Sequence, residues 1–136
     1  MTRSKSPFKH TYQILPEKRL ILCAYQGAIT VADIMSGVGD IWADPAFDPT
    51  FNGIANLEGV TTRAGVEEVQ ALLVFFEKHN ASRGRWAVVF TEPKPTALGM
   101  IFKAAWRGAF GIEVVSTWDA ACRFLHVEMP VFSPGR

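Results

Sequence analysis

The run Asn52 to Val69, NGIANLEGVTTRAGVEEV, holds two adjacent hydroxyls, Thr61 and Thr62, followed at once by the cation Arg63. Hydroxyls and a cation in front of a helix are the makings of a phosphate switch, because a helix N-terminus and an arginine both favour a phosphate's charge. The plainer role for Thr61 or Thr62 is a helix N-cap, whose hydroxyl accepts a backbone N–H. Other candidates carry less. Glu67 and Glu68 stand where a helix begins, and the macrodipole favours acids there without any catalysis. His10, His79 and His126 are scattered, and none pairs with Cys, Asp or Glu at a metal-ligand spacing. Cys23 and Cys122 lie 99 positions apart in apolar settings, as buried thiols do, with no second Cys near enough for a metal or redox motif. Ser36, Ser82 and Ser116 lack the G-x-S-x-G context of an activated nucleophile. Gly37-Val38-Gly39 lies inside a helical pattern, whereas a phosphate cradle needs its glycines at the helix start. Helix packing or local bending accounts for it better. No catalytic residue, metal or cofactor is assigned, and the chain is expected not to be an enzyme.

The aromatics form a second group. Phe102, Trp106, Phe110 and Trp118 surround one helix, its exit and the start of the next. Two uses are open for them: core packing, or a patch that takes an apolar ligand or a second subunit.

Hydrophobic periodicity supplies the elements that must hold these residues. Thr11 to Leu15 and Leu20 to Tyr25 read as strands joined by the Pro16-led turn, hence an antiparallel hairpin. Thr30 and Asp33 form a capping-box-like pair ahead of Val31, Ile34, Met35, Val38, Ile41 and Trp42, which recur at helical spacing until Asp44-Pro45. Gly53 to Leu57 reads as the third strand. Val66 to Lys78 is a helix with Val66, Val69, Leu72, Leu73 and Phe76 on one side, widened by Val74 and Phe75. Trp86 to Phe90 is a strand with little alternation, as in a sheet covered on both faces. A helix is predicted from Thr96 to Arg107 with Leu98, Ile101, Phe102 and Ala105 inward, then a strand from Ile112 to Ser116. Thr117 caps a last helix carrying Trp118, Ala121, Cys122 and Leu125. The order β-β-α-β-α-β-α-β-α predicts an α/β fold: a mostly parallel sheet of about five strands, an antiparallel first hairpin strand and four helices. Residues 1–9 read as a flexible arm, 10–128 as a single domain and 129–136 as a tail.

The chain has 136 residues, long enough for one proper core, with 49% hydrophobic and 20% charged residues. A formal net charge of +1 leaves no nucleic-acid footprint, although residues 28–76 hold seven acids against the single base Arg63. No apolar run approaches the ~20 residues that span a bilayer. The basic, polar start MTRSKSPFKH has no apolar stretch of the signal-peptide kind after it, so a cytoplasmic location without membrane insertion is expected.

Asn56-Leu57-Glu58-Gly59-Val60 resembles the D-L-S-G-V strand end of the STAS domains of anti-sigma-factor antagonists. More closely, the chain resembles the bacterial SpoIIAA-like (STAS/SEC14-like) group. Asp44-Pro45-Ala46-Phe47 stands for that group's DPxF-type turn, and Ala121 to Leu125 for its ending of small residues and an aromatic. The resemblance implies a regulatory or protein-interaction domain whose turn after the third strand meets a protein partner or a second copy. Asn56, Glu58, Thr61, Thr62 and Arg63 are the partner-binding residues that follow. In antagonists of that family a loop serine is phosphorylated. Here its segment has shrunk to Arg63-Ala64-Gly65, and Glu58 stands where D-L-S-G-V has Ser, so a constitutive interaction is expected. The SEC14-like side of the resemblance implies the alternative, a carrier of a small apolar or lipid-like ligand that would use Phe102, Trp106, Phe110 and Trp118.

Overall fold

The computed structural model describes residues 9–79 and 81–132. The elements follow in the order β1 (His10–Leu15), β2 (Leu20–Tyr25), α1 (Val31–Ala43), β3 (Asn52–Leu57), α2 (Val66–Lys78), β4 (Arg85–Phe90), α3 (Pro93–Ala105), β5 (Gly111–Val115) and α4 (Trp118–Leu125). The strands form one sheet in chain order, β1 antiparallel to β2 and every later pair parallel, so the predicted fold class is the one found. Among the described residues no helix is long and apolar enough to cross a membrane.

Strand order explains where the helices lie. Each parallel crossover steps one strand in the same direction, and right-handed crossovers of that kind put their helices on one face. Ile21, Cys23, Tyr25, Ala55, Leu57, Trp86, Val88 and Phe90 point to the side of α1, α2 and α3. The alternate residues Leu20, Leu22, Ile54, Ala87 and Val89 point the other way, onto Ala121, Cys122 and Leu125 of α4. Helix α4 follows the last strand and so is free to cover the second face.

Local chemistry sets the helix ends. The expected capping box opens α1: Thr30 Oγ1 accepts the Asp33 N–H at 3.1 Å and Asp33 Oδ2 accepts the Thr30 N–H at 2.8 Å. Neither Thr61 nor Thr62 caps α2. Gly65 is its N-cap, and the Glu68 carboxylate takes the Gly65 N–H at 2.6 Å. Helix α3 begins at Pro93, three residues before the predicted start, because prolines fit a first turn whose N–H groups need no helical partner. Its inner stripe is therefore Pro95, Leu98, Phe102 and onward to Trp106. Ile101, predicted inward, is 40% exposed, and Ala105 is exposed as well. Gly37, from the G-x-G motif, lets α1 settle on β2 and β1: a Cβ there would lie 2.6 Å from the Tyr25 hydroxyl and 2.9 Å from the His10 ring.

Of the expected tail, residues 129–132 are described, and Met129 and Phe132 pack on the α4-side cluster. The expected arm lies outside the described residues except for Lys9, whose ammonium stands 3.5 Å from Asp33.

Candidate functional site: an apolar cavity under three helices

The site begins with side-chain size. Register aligns Cys23, Ala55, Val88 and Val114 in one row across the middle of the sheet, on the face under α1–α3. Larger residues flank that row: Trp86 and Ile112 toward the strand starts, Tyr25, Leu57 and Phe90 toward the strand ends. Small side chains between two large rows leave a trough. The helices bridge the trough rather than fill it, and α2 makes its close backbone approaches chiefly to α1 and α3. The result is a cavity of about 190 Å³. Its roof includes Ile34 and Val38 of α1, Val69, Leu72 and Phe76 of α2, and Leu98 and Phe102 of α3. Val88 is only half-buried although it sits in the centre of the sheet, because its side chain faces this space.

Among the described residues no Asp, Glu, Lys, Arg or His lines the cavity. Burial pushes the Cys23 thiol up to about 12 and raises the Tyr25 phenol well above its ordinary value, so both are neutral near pH 7. The polar atoms are few. At the end near the strand starts is the Ser82 hydroxyl, which accepts a hydrogen bond from Trp42 Nε1 at 3.3 Å; the Trp86 ring lines the same end, with its Nε1 buried and without a partner among the described residues. Thr30 and Thr62 lie at the other end. Thr30 is exposed, and Val31, Thr62 and Ala64 beside it are half-buried, so the cavity reaches the surface between the starts of α1 and α2.

The Thr61–Arg63 turn forms part of this mouth. Backbone bonds Thr61 N–H to Gly27 C=O (3.1 Å) and Ile29 N–H to Thr61 C=O (2.8 Å) zip it to the loop after β2. Thr62 Oγ1 donates to Ile29 C=O at 2.7 Å and accepts the Ala64 N–H at 3.1 Å. Its hydroxyl is thereby tied into the rim. Glu58, Thr61 and Arg63 are exposed. Asn56 is not, and its place among the surface residues needs correcting. It is 3% exposed and lies on the α4 side of the sheet. There its Oδ1 accepts the Glu58 N–H at 3.0 Å and its Nδ2 donates to Phe132 C=O at 2.8 Å. Asn56 is a clasp between β3 and the C-terminal segment.

The aromatic group also divides. Phe102, Trp106 and Phe110 are buried together, with ring centroids 5.7 Å apart for the first pair and 4.6 Å for the second. Phe102 and Phe110 line the cavity. Trp106 backs them and donates its Nε1–H to Phe110 C=O at 2.9 Å. Trp118 lies across the sheet in the α4-side cluster, its Nε1 donating to Met129 C=O at 3.0 Å, so it takes no part in the cavity. The residues that shape the floor, Cys23, Ala55 and Val88, carried no signal beyond their small size. Their alignment comes from strand register, which a single sequence does not state.

The described residues place no three His, Cys, Asp or Glu side chains together as a metal site. Comparison of the chain with protein-family models, with curated proteins and with solved structures found no match. The class rests on the fold itself: a single mixed sheet, three helices arched over one face, and an uncharged cavity beneath them.

Proposed function

We propose that this chain is a non-enzymatic, STAS/SEC14-like domain that binds a small apolar molecule in the cavity under α1–α3. The single observation that supports the reading is the cavity of about 190 Å³, walled almost entirely by apolar side chains. An engineered apolar cavity of about 150 Å³ takes up benzene. Lost packing costs on the order of 24 cal/mol per Å³ of cavity, so filling this one recovers up to about 4 to 5 kcal/mol. Ala55→Leu tests the reading, because the longer side chain enters the cavity from its floor. Isopropylbenzene should raise the Tm of the parent protein and leave that of the variant unchanged. The unliganded variant should itself be more stable by about 1 kcal/mol. Native mass spectrometry of the purified parent should show a co-purifying apolar molecule. An unchanged parent Tm together with a bare mass sinks the proposal.

The exposed turn supports a second reading, in which Glu58, Thr61 and Arg63 meet a protein partner or a second copy. Because Thr62 and Ala64 of the same turn line the mouth, such a partner would sit beside the ligand's way in. Glu58→Lys and Arg63→Glu should each weaken that partner's retention in a pull-down. A partner indifferent to both changes binds elsewhere.

A further inference from the structure

Helices α2 and α3 each lead from one parallel strand to the next, so they pack side by side and run in the same direction. Of the five large apolar side chains that the described residues leave exposed, four stand on this pair: Val66, Val74, Met100 and Ile101. Ala97 and Ala104 are exposed as well, and α3 has no polar side chain between Thr96 and Lys103. Solvated helix faces normally carry charge, and an exposed apolar face marks a surface that meets another molecule. Charge at the ends of the two helices says which. From Pro93 to Arg107 every charged residue is a base, and the nearest acid, Glu92, stands before the first turn. Lys103 turns to β5 and pairs with Glu113 at 2.6 Å. That leaves Lys94, two turns before Ile101, and Arg107, just past the helix end, both exposed. The α2 counterparts are acids. Glu67 is two turns before Val74, and Glu77 is one turn beyond Leu73, which packs against Phe102, Trp106 and Phe110. Glu68 is tied to the Gly65 N–H. Lys78 falls a turn beyond Phe75, on the α1 side, where that ring stacks on Trp42.

We infer that α2 and α3 are the interface of a homodimer whose two-fold axis runs along the helices, so that α3 of each protomer lies on α2 of its partner. Lys94 then meets the partner's Glu67 at one end and Arg107 meets the partner's Glu77 at the other. Val74, Met100 and Ile101 of both protomers close the apolar middle, and the same patch serves on each side, as a two-fold interface requires. An axis across the helices would instead set α3 on α3 and bring Lys94 against the partner's Arg107, like charge against like. A surface of one sign, such as an anionic bilayer, would attract the bases of α3 and repel the acids of α2. A second copy supplies both signs in the right places. None of these side chains lines the cavity, so the inference stands apart from the ligand reading.

Sedimentation velocity of the full chain over a dilution series reads the association, and circular dichroism checks that each variant keeps its fold. Every position changed is exposed, so the fold should survive. The parent should sediment as a dimer. Ile101→Asp should weaken the association by about thirtyfold or more, as loss of a central apolar contact does. Lys94→Glu and Glu67→Lys should each weaken it about tenfold, because each change acts twice across the axis. The double variant carrying both changes should recover the parent's association, since the exchanged signs meet again. A monomeric parent, a dimer indifferent to Ile101→Asp, or a double variant as weak as the single ones each overturns the inference. A tighter dimer in Lys94→Glu overturns it in favour of the crossed axis. Flotation of a monomeric parent with phosphatidylglycerol vesicles, lost in Ile101→Asp, overturns it in favour of an anionic bilayer.

Discussion

The two faces of the sheet are built from the same strands and packed to different ends. Strand β3 shows it within six residues. Ile54, on the α4 side, is fully buried, and with Leu20, Leu22, Ala87 and Val89 it meets Ala121, Cys122 and Leu125 with almost no exposed surface. Ala55, next along the chain, faces the cavity. The dense face is covered by an eight-residue helix and the segment that follows it, the loose face by three helices of thirteen residues each. Coverage is thus not packing. A helix can descend only as far as the largest side chains beneath it allow, and the large rows at both strand ends hold α1–α3 above the small row between them. The α4 face is closely packed, and the face under α1–α3 retains a cavity.

Paired truncations are the strongest way to break this comparison. Ile54→Ala opens a void in a closed core and should cost about 3 to 5 kcal/mol. Val88→Ala removes methyl groups that already border empty space and should cost only about 1 kcal/mol. Denaturant unfolding of both variants measures the difference, and equal costs would mean that the helix face is as tightly packed as the other. Next in size is Asn56→Ala. It leaves the Phe132 carbonyl and the Glu58 N–H without their side-chain partner, at a cost of about 1 to 3 kcal/mol. Protection from hydrogen exchange should then fall in the 127–132 segment first, with α1–α3 unaffected.

Much of the scaffold was legible in the sequence, because hydrophobic periods of 2 and 3.6 separate strands from helices residue by residue. The strand Leu20–Tyr25 and the helix Val66–Lys78 fall where periodicity puts them. Helix α3 starts earlier than expected because Pro93 and Pro95 serve as its first turn; of the expected inward residues Leu98 and Phe102 stay on the inner side, Ile101 and Ala105 are exposed, and Pro95 and Trp106 join the stripe. The site was less legible. The turn after β3 was found, but Asn56 shares the strand's alternation with Ile54 and so belongs to the opposite face. Trp118 is parted from the other aromatics by the sheet itself. Above all, the cavity depends on Cys23, Ala55 and Val88 standing abreast, a long-range alignment that local pattern does not encode.

The smallest expected effect is acid loosening of the helix face before the α4 face. His10 lies on edge strand β1 under α1, its ring 4.5 Å from that of the cavity-lining Tyr25 and 5.9 Å from that of Tyr12, with Nε2 buried and without a partner among the described residues. Burial lowers its pKa below 6.5, opposed by the weaker pull of Asp40 on α1. Between the folded value and 6.5 the unfolded chain binds more protons, so stability rises with pH across that window. The neutral ring's contribution is complete above 6.5 and is lost as pH falls toward the folded value. Asp44 and Asp48 act in a separate, lower window. Held below 3.8 chiefly by the backbone N–H groups of Ala46 and Thr50, they lose their contribution only as pH falls beneath 3.8. Moving from pH 7 to pH 5 should therefore reduce amide protection in β1 and α1 while α4 holds, and His10→Phe should remove the difference. Loss of protection in α4 first would show that the dense face, not the open one, is where protonation enters.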